Sequence, residues 1–463
     1  FNMDFLDRKN EIAELNRVLD TDMPPRLVVV FGRRRLGKST LIKKVLTAND
    51  IYYMAGDLVE QVQRDMLKAQ LAEKFPEMAL PEFVSWESLF VMLNSVASAQ
   101  FTLCLDEFPY MVKHSPELPS VLQRLVDSGK MKFNLIICGS SQRMMQNMIL
   151  SPSEPLYGRA HAILNIQPIP IPFLKEALQL DAVGTVEEYS VWGGVPRYWE
   201  LREGFANLQD AIRGTMLSTT SVLYDEPKRL FLDDMSATVQ SESLLAVVAA
   251  GANKLSEIAA RIGRDSTALS APIDRLIQMH YLRREIPFGE SPKKSKKGVY
   301  KINDPLVDFY YTFIVPHLSG IGRGRQAYVL EEIGLKFDEY IGRYWEYLCR
   351  EAVSGNKAFG YRWGEASRWW GGVKTVSGPR ELEFDVVAES LDKKALLVGE
   401  CKWTNPEIAS ELAKKLIEKA TCLPISAGKI IVPVLFLKNK PKDSGEGLNV
   451  VLPEEVLSMV YGD

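Results

Sequence analysis

Short apolar runs alternate with longer stretches of helical spacing over the first 170 residues. The apolar runs predict five strands, at 27–31, 51–54, 101–105, 134–141 and 162–166. Helical spacing predicts helices between them, at 10–19, 41–46, 58–76 and 86–99. Strands that are separated by helices predict a parallel sheet covered on both faces, with ligands at the carboxyl ends of the strands. The fold class predicted for this part is α/β.

The pattern changes after residue 170. Helical spacing continues from about 173 to 232, and two further helices are predicted at 255–263 and 266–279. Two strands are predicted next, at 281–286 and 298–302, on either side of a basic loop at 291–297. Helix, glycine turn, helix and β-ribbon together predict a winged helix. A helix at 341–349 and strands at 383–388 and 395–403 then predict another α/β domain.

A glycine-bounded loop follows the first predicted strand and leads into a helix. It matches the pattern G-x-x-x-x-G-K-[ST] and consists of Gly32, Arg33, Arg34, Arg35, Leu36, Gly37, Lys38, Ser39 and Thr40. Glycines bring backbone N–H groups close to phosphates, and the following helix adds the positive end of its dipole. We predict that this loop binds ATP, with Lys38 at the β- and γ-phosphates and Ser39 on Mg²⁺. The alternative is a chance Gly-Lys-Ser loop, which the flanking strand and helix disfavour.

Two acids end the third predicted strand. Asp106 is predicted to bind the Mg²⁺ shell and Glu107 to activate the attacking water. An apolar run followed by Asp-Glu is common at strand ends, but its place about 70 residues after a phosphate loop favours the paired acid. The next strand ends at Ser140 and Ser141, which either sense the γ-phosphate or cap the following helix. Arg159 is either a phosphate or subunit contact or a solvated side chain.

Charge and residue composition limit the binding partners and the cellular location that we expect. The net charge of −3 gives the whole chain no attraction to nucleic acid, so a basic surface must be local. Residues 254–301 contain 11 Lys and Arg against 5 Asp and Glu, which predicts DNA contact by the winged helix. The alternatives are a lid, a protein contact or a solvated loop. Five scattered cysteines predict reduced thiols in the cytoplasm, and no apolar run nears the roughly 18 residues of a membrane span.

Carboxylates and a lysine lie on the two strands predicted in the last third. Asp385 lies within one strand, and Glu400 and Lys402 are two residues apart in the next. Residues i and i+2 point to the same face of a strand, so we expect Glu400 and Lys402 to share a face, with Asp385 opposite. Two carboxylates can hold Mg²⁺ and a lysine can position the attacking water, which suits phosphodiester hydrolysis. Composition alone equally allows a surface salt bridge.

Six motifs occur in order along the first 200 residues. They are FLDR at 5–8, GRRRLGKS at 32–39, LDE at 105–107, CGSS at 138–141, LYGR at 156–159 and GGVPRY at 193–198. Together they resemble the prokaryotic "archaeal ATPase" family, a branch of the AAA+/STAND-like P-loop ATPases. The resemblance implies a helical lid in which Gly194, Val195 and Pro196 form a turn near the adenine, and it implies that Arg8 lies close to the nucleotide. It also allows an oligomer in which Arg159 completes a neighbour's site, or a protein partner.

The last third resembles the PD-(D/E)XK restriction-endonuclease-like fold. The resemblance rests on G-x-x-x-E ending at Glu346, on Asp385 in an acid-rich strand and on E-x-K at Glu400 and Lys402. It implies that Glu346 is the helix acid, that Asp385 and Glu400 are metal ligands and that Lys402 is the catalytic lysine. Phe384 stands where the family pattern has proline, a departure that removes no ligand. Related domains can lose cleavage and keep only the fold.

A chain of 463 residues is too long for one core, and these patterns divide it into four predicted parts. They are a P-loop AAA+ ATPase core at 1–170, a helical lid at 171–235, a winged helix at 236–310, and a PD-(D/E)XK nuclease-like domain with linker helices at 311–463. We expect an ATPase that binds DNA and cleaves it with Mg²⁺. One alternative is a nucleotide-gated STAND-like switch whose C-terminal domain is inactive and binds DNA or protein. Another is a nucleotide-binding regulator without turnover.

Overall fold

The computed structural model describes most of the chain. Its described residues are 7–20, 22–234, 238–375, 378–404, 409–443 and 448–461. Phe5 and Leu6, which open the FLDR motif, lie outside them. The chain divides into two compact units, the first built mainly from residues up to Ile169 and the second mainly from residues after it. In the part that is described, no helix is long and apolar enough to cross a membrane.

A five-stranded parallel sheet forms the centre of the first unit. Its strands are β1 (Leu27–Phe31), β2 (Ile51–Met54), β3 (Thr102–Asp106), β4 (Asn134–Gly139) and β5 (Ala162–Asn165). In space their order is β2-β3-β4-β1-β5, and every pair is parallel. β1, β3 and β4 are buried along their whole length, as expected of uninterrupted apolar runs in a covered parallel sheet. The predicted parallel α/β fold is confirmed.

Among the described residues of the first unit, seven α-helices connect and cover this sheet. They are α1 (Lys9–Val18), α2 (Lys38–Val45), α3 (Glu60–Lys74), α4 (Trp86–Val96), α5 (Phe108–His114), α6 (Leu118–Asp127) and α7 (Gln142–Leu150). In α4, Ser85 caps the first turn by accepting a 3.2 Å hydrogen bond from the backbone N–H of Ser88. Trp86, Phe90 and Leu93 follow at helical spacing and are buried in the core.

Helices make up the first half of the second unit. They are α8 (Pro172–Leu178), α9 (Ala182–Trp192), α10 (Pro196–Glu203), α11 (Leu208–Thr215), α12 (Glu226–Asp234), α13 (Thr238–Ala249), α14 (Leu255–Ile262), α15 (Ser266–Gln278), α16 (Pro305–Phe309), α17 (Leu318–Gly322) and α18 (Gln326–Val353). Pro196 and Arg197 at the start of α10, and residues 232–234 at the end of α12, group with the first unit. A two-stranded antiparallel ribbon, β6 (Leu282–Glu285) with β7 (Val299–Ile302), follows α15. The elements from α14 to β7 occur in the order that the sequence predicted.

A five-stranded mixed sheet forms the last part of the second unit. Its strands are β10 (Ser367–Thr375), β11 (Gly378–Glu389), β12 (Ala395–Lys402), β13 (Ile430–Leu437) and β14 (Asn449–Val451), in that spatial order. β11 is antiparallel to both β10 and β12, and the last two strands run parallel to β12. The short strands β8 (Lys357–Ala358) and β9 (Tyr361–Arg362) precede the sheet. Two helices complete it, α19 (Ala409–Thr421) and α20 (Pro453–Tyr461).

Candidate functional site

The phosphate loop joins β1 to α2 and is held in a glycine-dependent shape. Gly32 has φ 152°, and a Cβ built there would lie 2.5 Å from the carbonyl oxygen of Ile166. Gly37 has φ 82° and Arg35 has φ 68°, so the loop passes twice through the left-handed region. Lys38 Nζ donates to the carbonyl oxygens of Gly32 at 2.8 Å and Arg33 at 3.0 Å. The lysine amine therefore lies inside the loop that the sequence assigned to the phosphates.

Asp106 lies at the end of β3 beside the first residues of α2. Ser39 Oγ donates to its Oδ2 at 2.6 Å, the Tyr52 hydroxyl donates to the same oxygen, and the Glu107 N–H donates to Oδ1 at 2.8 Å. Burial raises the pKa of Asp106, but its hydrogen bonds, led by those from Ser39 and Tyr52, together outweigh burial and the pKa is lowered. Asp106 is therefore ionised and touches Ser39, and a hydroxyl with a carboxylate suits Mg²⁺, which commonly takes one or two protein oxygens with water and phosphate.

Tyr52, on β2, was not singled out from the sequence. Burial, and then the neighbouring Asp106, raise the pKa of its hydroxyl, so it remains a proton donor. Lys43 Nζ lies 4.5 Å from the centre of the tyrosine ring. Tyr52 thus fixes the orientation of Asp106 from the neighbouring strand. No local pattern predicts this contact, because β2 and β3 are far apart in sequence.

Glu107 is held in place by the next strand of the sheet. Its backbone has φ 52°, a left-handed conformation that is uncommon for a residue with a side chain. Its carboxylate accepts a hydrogen bond from Ser140 Oγ, which lies 2.9 Å from both oxygens, and the Ser140 N–H lies 3.3 Å from Oε2. β4 pairs with β3, so the predicted adjacency of their polar ends is confirmed. Ser141 stands at the start of α7 without capping it through its side chain.

Arg8 reaches the phosphate loop from the start of α1. Its guanidinium donates to the carbonyl oxygens of Gln167 at 2.6 Å and of Leu36 at 3.5 Å, and it pairs with Glu11 at 3.1 Å. The structure thus brings Arg8 to the loop, as the resemblance implied, and its role at the nucleotide stays a prediction.

The three arginines of the phosphate loop differ in exposure. Arg33 is buried, whereas Arg34 and Arg35 are half-buried, and Thr40 at the end of the loop is exposed. Arg34 donates a hydrogen bond to the Tyr110 hydroxyl at 3.1 Å.

The remaining residues predicted for the nucleotide lie farther along the chain. Arg159 forms a forked ion pair with Asp127, the last residue of α6, with N–O distances of 2.8 to 3.0 Å. Gly194 lies in the turn after α9, and Pro196 is the first residue of α10. The roles of Arg159 at a phosphate or a neighbour's site, and of Gly194 and Pro196 at the adenine, stay predictions.

The acids predicted in the last third converge in the second unit. Asp385 lies on β11 immediately before Val386. Val386 pairs with Gly399 of β12, and Glu400 immediately follows Gly399. Asp385 Oδ2 accepts a 2.8 Å hydrogen bond from the Cys401 N–H. Lys402 Nζ lies 2.9 Å from Glu400 Oε1, which confirms that these two side chains share a face.

Asp385 has the most informative acidity of this cluster. Burial first, and then the carboxylates of Glu346 and Glu400, raise its pKa to about 7 against the opposing Cys401 N–H and Lys402. A carboxyl that retains its proton near neutral pH among other acids marks a place where added positive charge is stabilised. Across the described residues, no three His, Cys, Asp or Glu side chains are arranged around a common metal position. Asp385 and Glu400 alone still fit Mg²⁺, because it often takes only two carboxylates and keeps several waters.

Two cationic residues beside these acids, Arg350 and Lys419, were not predicted from the sequence. Arg350 is 6% exposed, donates to the carbonyl oxygen of Asp385 at 2.9 Å and lies 3.9 Å from Glu346 Oε2. Lys419 Nζ of α19 lies 3.6 Å from Glu400 Oε2. Arg350 lies four residues after Glu346 on the same helix, and this spacing places both side chains on one face. The pair could therefore have been predicted from the sequence. Lys419 has no comparable local signal.

Comparisons with known proteins agree with this architecture. Residues 5–200 match the model of a family described as an ATPase domain predominantly from Archaea. Residues 310–417 match a family described as archaeal and bacterial proteins of unknown function. An uncharacterised protein of Methanocaldococcus jannaschii is 30% identical over 457 residues, which cover 96% of this chain and 98% of the relative.

A solved structure supports the fold. The Walker-type ATPase of Pyrococcus abyssi superposes with a TM-score of 0.52 at 19% identity, covering 67% of this chain and 97% of the other. At that identity the likeness concerns the fold, which is that of P-loop NTPases. The whole-length relative and the matched ATPase domain together show that this chain belongs to the archaeal ATPase family and carries a P-loop ATPase domain that binds ATP.

Proposed function

We propose that the chain couples ATP hydrolysis in its first unit to metal-dependent cleavage of DNA in its second. The observation that carries the proposal is the cluster formed by Asp385, Glu400 and Lys402 on two adjacent strands, with Glu346 close enough to raise the pKa of Asp385. Such a set of two carboxylates, a lysine and a helix acid suits hydrolysis of a phosphodiester.

In the ATP site, each residue has a defined task. Lys38 neutralises the phosphates, while Ser39 and Asp106 hold the divalent ion. Glu107 accepts a proton from the attacking water, and Ser140 keeps its carboxylate in place through the contacts at 2.9 Å. Mg²⁺, when bound, neutralises charge on the phosphate oxygens. Tyr52 keeps Asp106 turned toward Ser39.

In the proposed cleavage site, Asp385 and Glu400 would hold the metal ion, and Asp385 would do so as the ionised carboxylate. Lys402 orients the attacking water and stabilises the charge that develops on the phosphate. Mg²⁺, when bound, acts as a Lewis acid on the phosphodiester. Arg350 anchors the strand that carries Asp385 by binding its backbone carbonyl at 2.9 Å.

DNA contact is proposed for the helices α14 and α15 with the ribbon β6–β7, as a winged helix. Lys293, Lys294 and Lys296 in the loop between the strands are exposed. Lys297 in the same loop pairs with Glu290 at 2.8 Å. Changing these four lysines to glutamate should weaken DNA binding and flatten its dependence on salt, because phosphate contacts release counterions. Unchanged DNA affinity in this variant would exclude the loop as the DNA contact.

A second candidate function is a nucleotide-gated switch whose C-terminal domain has kept the fold but not the chemistry. The observation that favours it is the pairing of the acids with protein cations. Glu400 lies between Lys402 and Lys419, and Glu346 pairs with Arg350. In this function the cations replace a metal ion, and the domain binds DNA or a protein without cutting it.

The two functions differ in a plasmid cleavage assay with Mg²⁺ or Mn²⁺. We expect the wild type to convert supercoiled plasmid, and Asp385→Ala and Lys402→Ala each to reduce the rate at least about a hundredfold. The matched control is Asp392→Ala, because Asp392 lies in the turn between the same two strands and is 48% exposed. Cleavage that is absent from the wild type and from all variants would favour the switch.

A further inference from the structure

A cavity of about 310 Å³ opens in the second unit beside the ribbon β6–β7. Cationic side chains from separate elements line it, namely Arg283 of β6, Lys301 of β7, Arg343 of α18 and Arg368 of β10. Arg283, Lys301 and Arg368 are largely buried, with 16 to 21% of each side chain exposed, and Arg343 is exposed at the rim. The cavity is therefore a basic site that is distinct from the phosphate loop.

The acids at this cavity do not balance its cations. Glu285 is 13% exposed and is approached by four cations, Arg283 at 3.0 Å, Arg350 and Arg368 at 3.3 Å and Lys301 at 3.7 Å. Glu285 does not itself line the cavity. Among the residues that do, four are cations and two, Asp308 and Glu346, are acids. Glu383, which pairs with Arg368, is also outside this lining and is 54% exposed.

An excess of partly buried positive charge favours an anion. Charged groups withdrawn from water are unfavourable unless they find partners of opposite sign. Guanidinium groups present several N–H donors in a plane and match the oxygens of a phosphate particularly well. The cavity supplies three such groups beside a lysine, so its preferred ligand is a phosphate.

The uncharged part of the lining points to more than inorganic phosphate. Tyr300 and Tyr344 lie on the cavity wall with Asn253 and Asn303. The Tyr344 ring is itself stacked on Tyr189 at 5.8 Å, which fixes its orientation. Aromatic rings beside cations are the surfaces on which nucleobases stack, and amide side chains can bond the base edge. The volume also lies at the lower end of the range of small-molecule sites, about 300–1,000 Å³.

We propose that this cavity binds a nucleotide through its phosphate, with the base against the tyrosines. Two sources share this chemistry, a free nucleotide and the end of a nucleic-acid strand. The strand-end source rests on the proposed cleavage function, since Glu346 lines the cavity and also contributes to the charge around Asp385. The free-nucleotide source does not depend on it.

The test measures binding by calorimetry to the full-length Lys38→Ala variant, which suppresses the phosphate-loop site, in EDTA. The probes are deoxyadenosine 5′-monophosphate, deoxyadenosine, and one short single-stranded oligonucleotide with and without a 5′-phosphate. We expect a phosphorylated probe to bind and its unphosphorylated partner to bind at least about tenfold more weakly. Preference for the monophosphate identifies a free nucleotide, and preference for the phosphorylated strand identifies a strand end.

Variants added to this background locate the site. Lys301→Gln and Arg343→Gln should each weaken binding of the preferred probe about tenfold. The matched control Lys336→Gln, which alters an exposed lysine of α18 paired with Glu332, should leave it unchanged. Glu285→Gln removes a carboxylate and should strengthen binding, a gain that loss of structure does not produce. Arg343 is exposed, so its variant remains informative if Lys301→Gln does not fold.

Three results would overturn the proposal. They are no binding of either phosphorylated probe at millimolar concentration, equal binding of phosphorylated and unphosphorylated partners, and affinity that Arg343→Gln and Glu285→Gln leave unchanged. The proposed cleavage function fails separately. Probe binding without plasmid cleavage by the wild type would leave the cavity site standing, and cleavage without probe binding would remove the cavity site alone.

Discussion

Asp385 is placed where its charge opposes folding. Its pKa is raised from the ordinary 3.8 to about 7, first by burial and then by Glu346 and Glu400. Between these two values the folded chain holds a proton that the unfolded chain has released. Stability therefore falls as pH rises from about 4 to about 7 and stays reduced above that range. Replacing Asp385 with asparagine removes the charge and keeps the shape of the side chain.

The size of the effect follows from the same pKa. One pKa unit corresponds to about 1.4 kcal/mol, so the full shift sets an upper limit of about 4 kcal/mol. Between pH 5 and pH 8 the wild type passes through about two of these units, which limits its loss there to about 3 kcal/mol. Because the unfolded chain has already released this proton at pH 5, we expect Asp385→Asn to exceed the wild type by up to about 2 kcal/mol there, and its advantage to grow by about 1–3 kcal/mol at pH 8.

Urea unfolding of the full-length chain at both pH values, in EDTA, measures this difference. EDTA is needed because a bound cation would remove the repulsion. Asp392→Asn is the control, since hydrogen bonds from Ser390 and the Lys394 N–H lower the pKa of that exposed carboxyl. The difference in stability between Asp392→Asn and the wild type should therefore not grow between pH 5 and pH 8. The reasoning is refuted if Asp385→Asn is less stable than the wild type at pH 8, or differs from it equally at both pH values.

Three further predictions concern the ATP site. Gly32→Ala should abolish ATP binding in a filter assay, because the added Cβ would lie 2.5 Å from a backbone oxygen. The control Gly56→Ala should bind ATP normally, because its Cβ meets only a flexible leucine at 3.4 Å. Equal ATP binding by the two variants would contradict this prediction. Glu107→Gln should keep ATP binding and lose hydrolysis about a hundredfold or more, measured as phosphate release, and unchanged release would favour a regulator without turnover. Tyr52→Phe should raise the Mg²⁺ concentration for half-maximal hydrolysis about tenfold, because Asp106 loses a hydrogen bond, and an unshifted Mg²⁺ titration would exclude this positioning role.

Local chemistry explains what the sequence predicted well. The phosphate loop is readable because glycine spacing, a preceding apolar run and a following helix all lie within about twenty residues. The shared face of Glu400 and Lys402 follows from the alternation of side chains along a single strand, and their ion pair at 2.9 Å confirms it. Both features depend on residues that are close in sequence.

Long-range packing explains what the sequence did not predict. The contact of Tyr52 with Asp106 depends on strand order, and that of Arg350 with the Asp385 carbonyl depends on how α18 packs against β11. The strand β10 was not predicted, because it contains Gly371 and Gly372, which weaken a strand pattern. Its pairing with β11 also shifts register near Trp369.

The helix α18 extends well beyond its prediction. It spans Gln326–Val353, whereas the pattern predicted a helix only at 341–349. Val329 and Ile333 in its first half are buried at helical spacing, but exposed charged residues surround them and dilute the apolar signal. The excess of cations at the cavity was also hidden, because its residues come from four separate elements.

The most direct test of the account measures two reactions in one preparation. ATP hydrolysis and Mg²⁺-dependent plasmid cleavage are compared in the wild type and in Asp385→Ala. Because the proposed cleavage site and the ATP site use different residues, the account predicts that the variant loses cleavage and keeps hydrolysis. Plasmid cleavage by Asp385→Ala at the wild-type rate would contradict it.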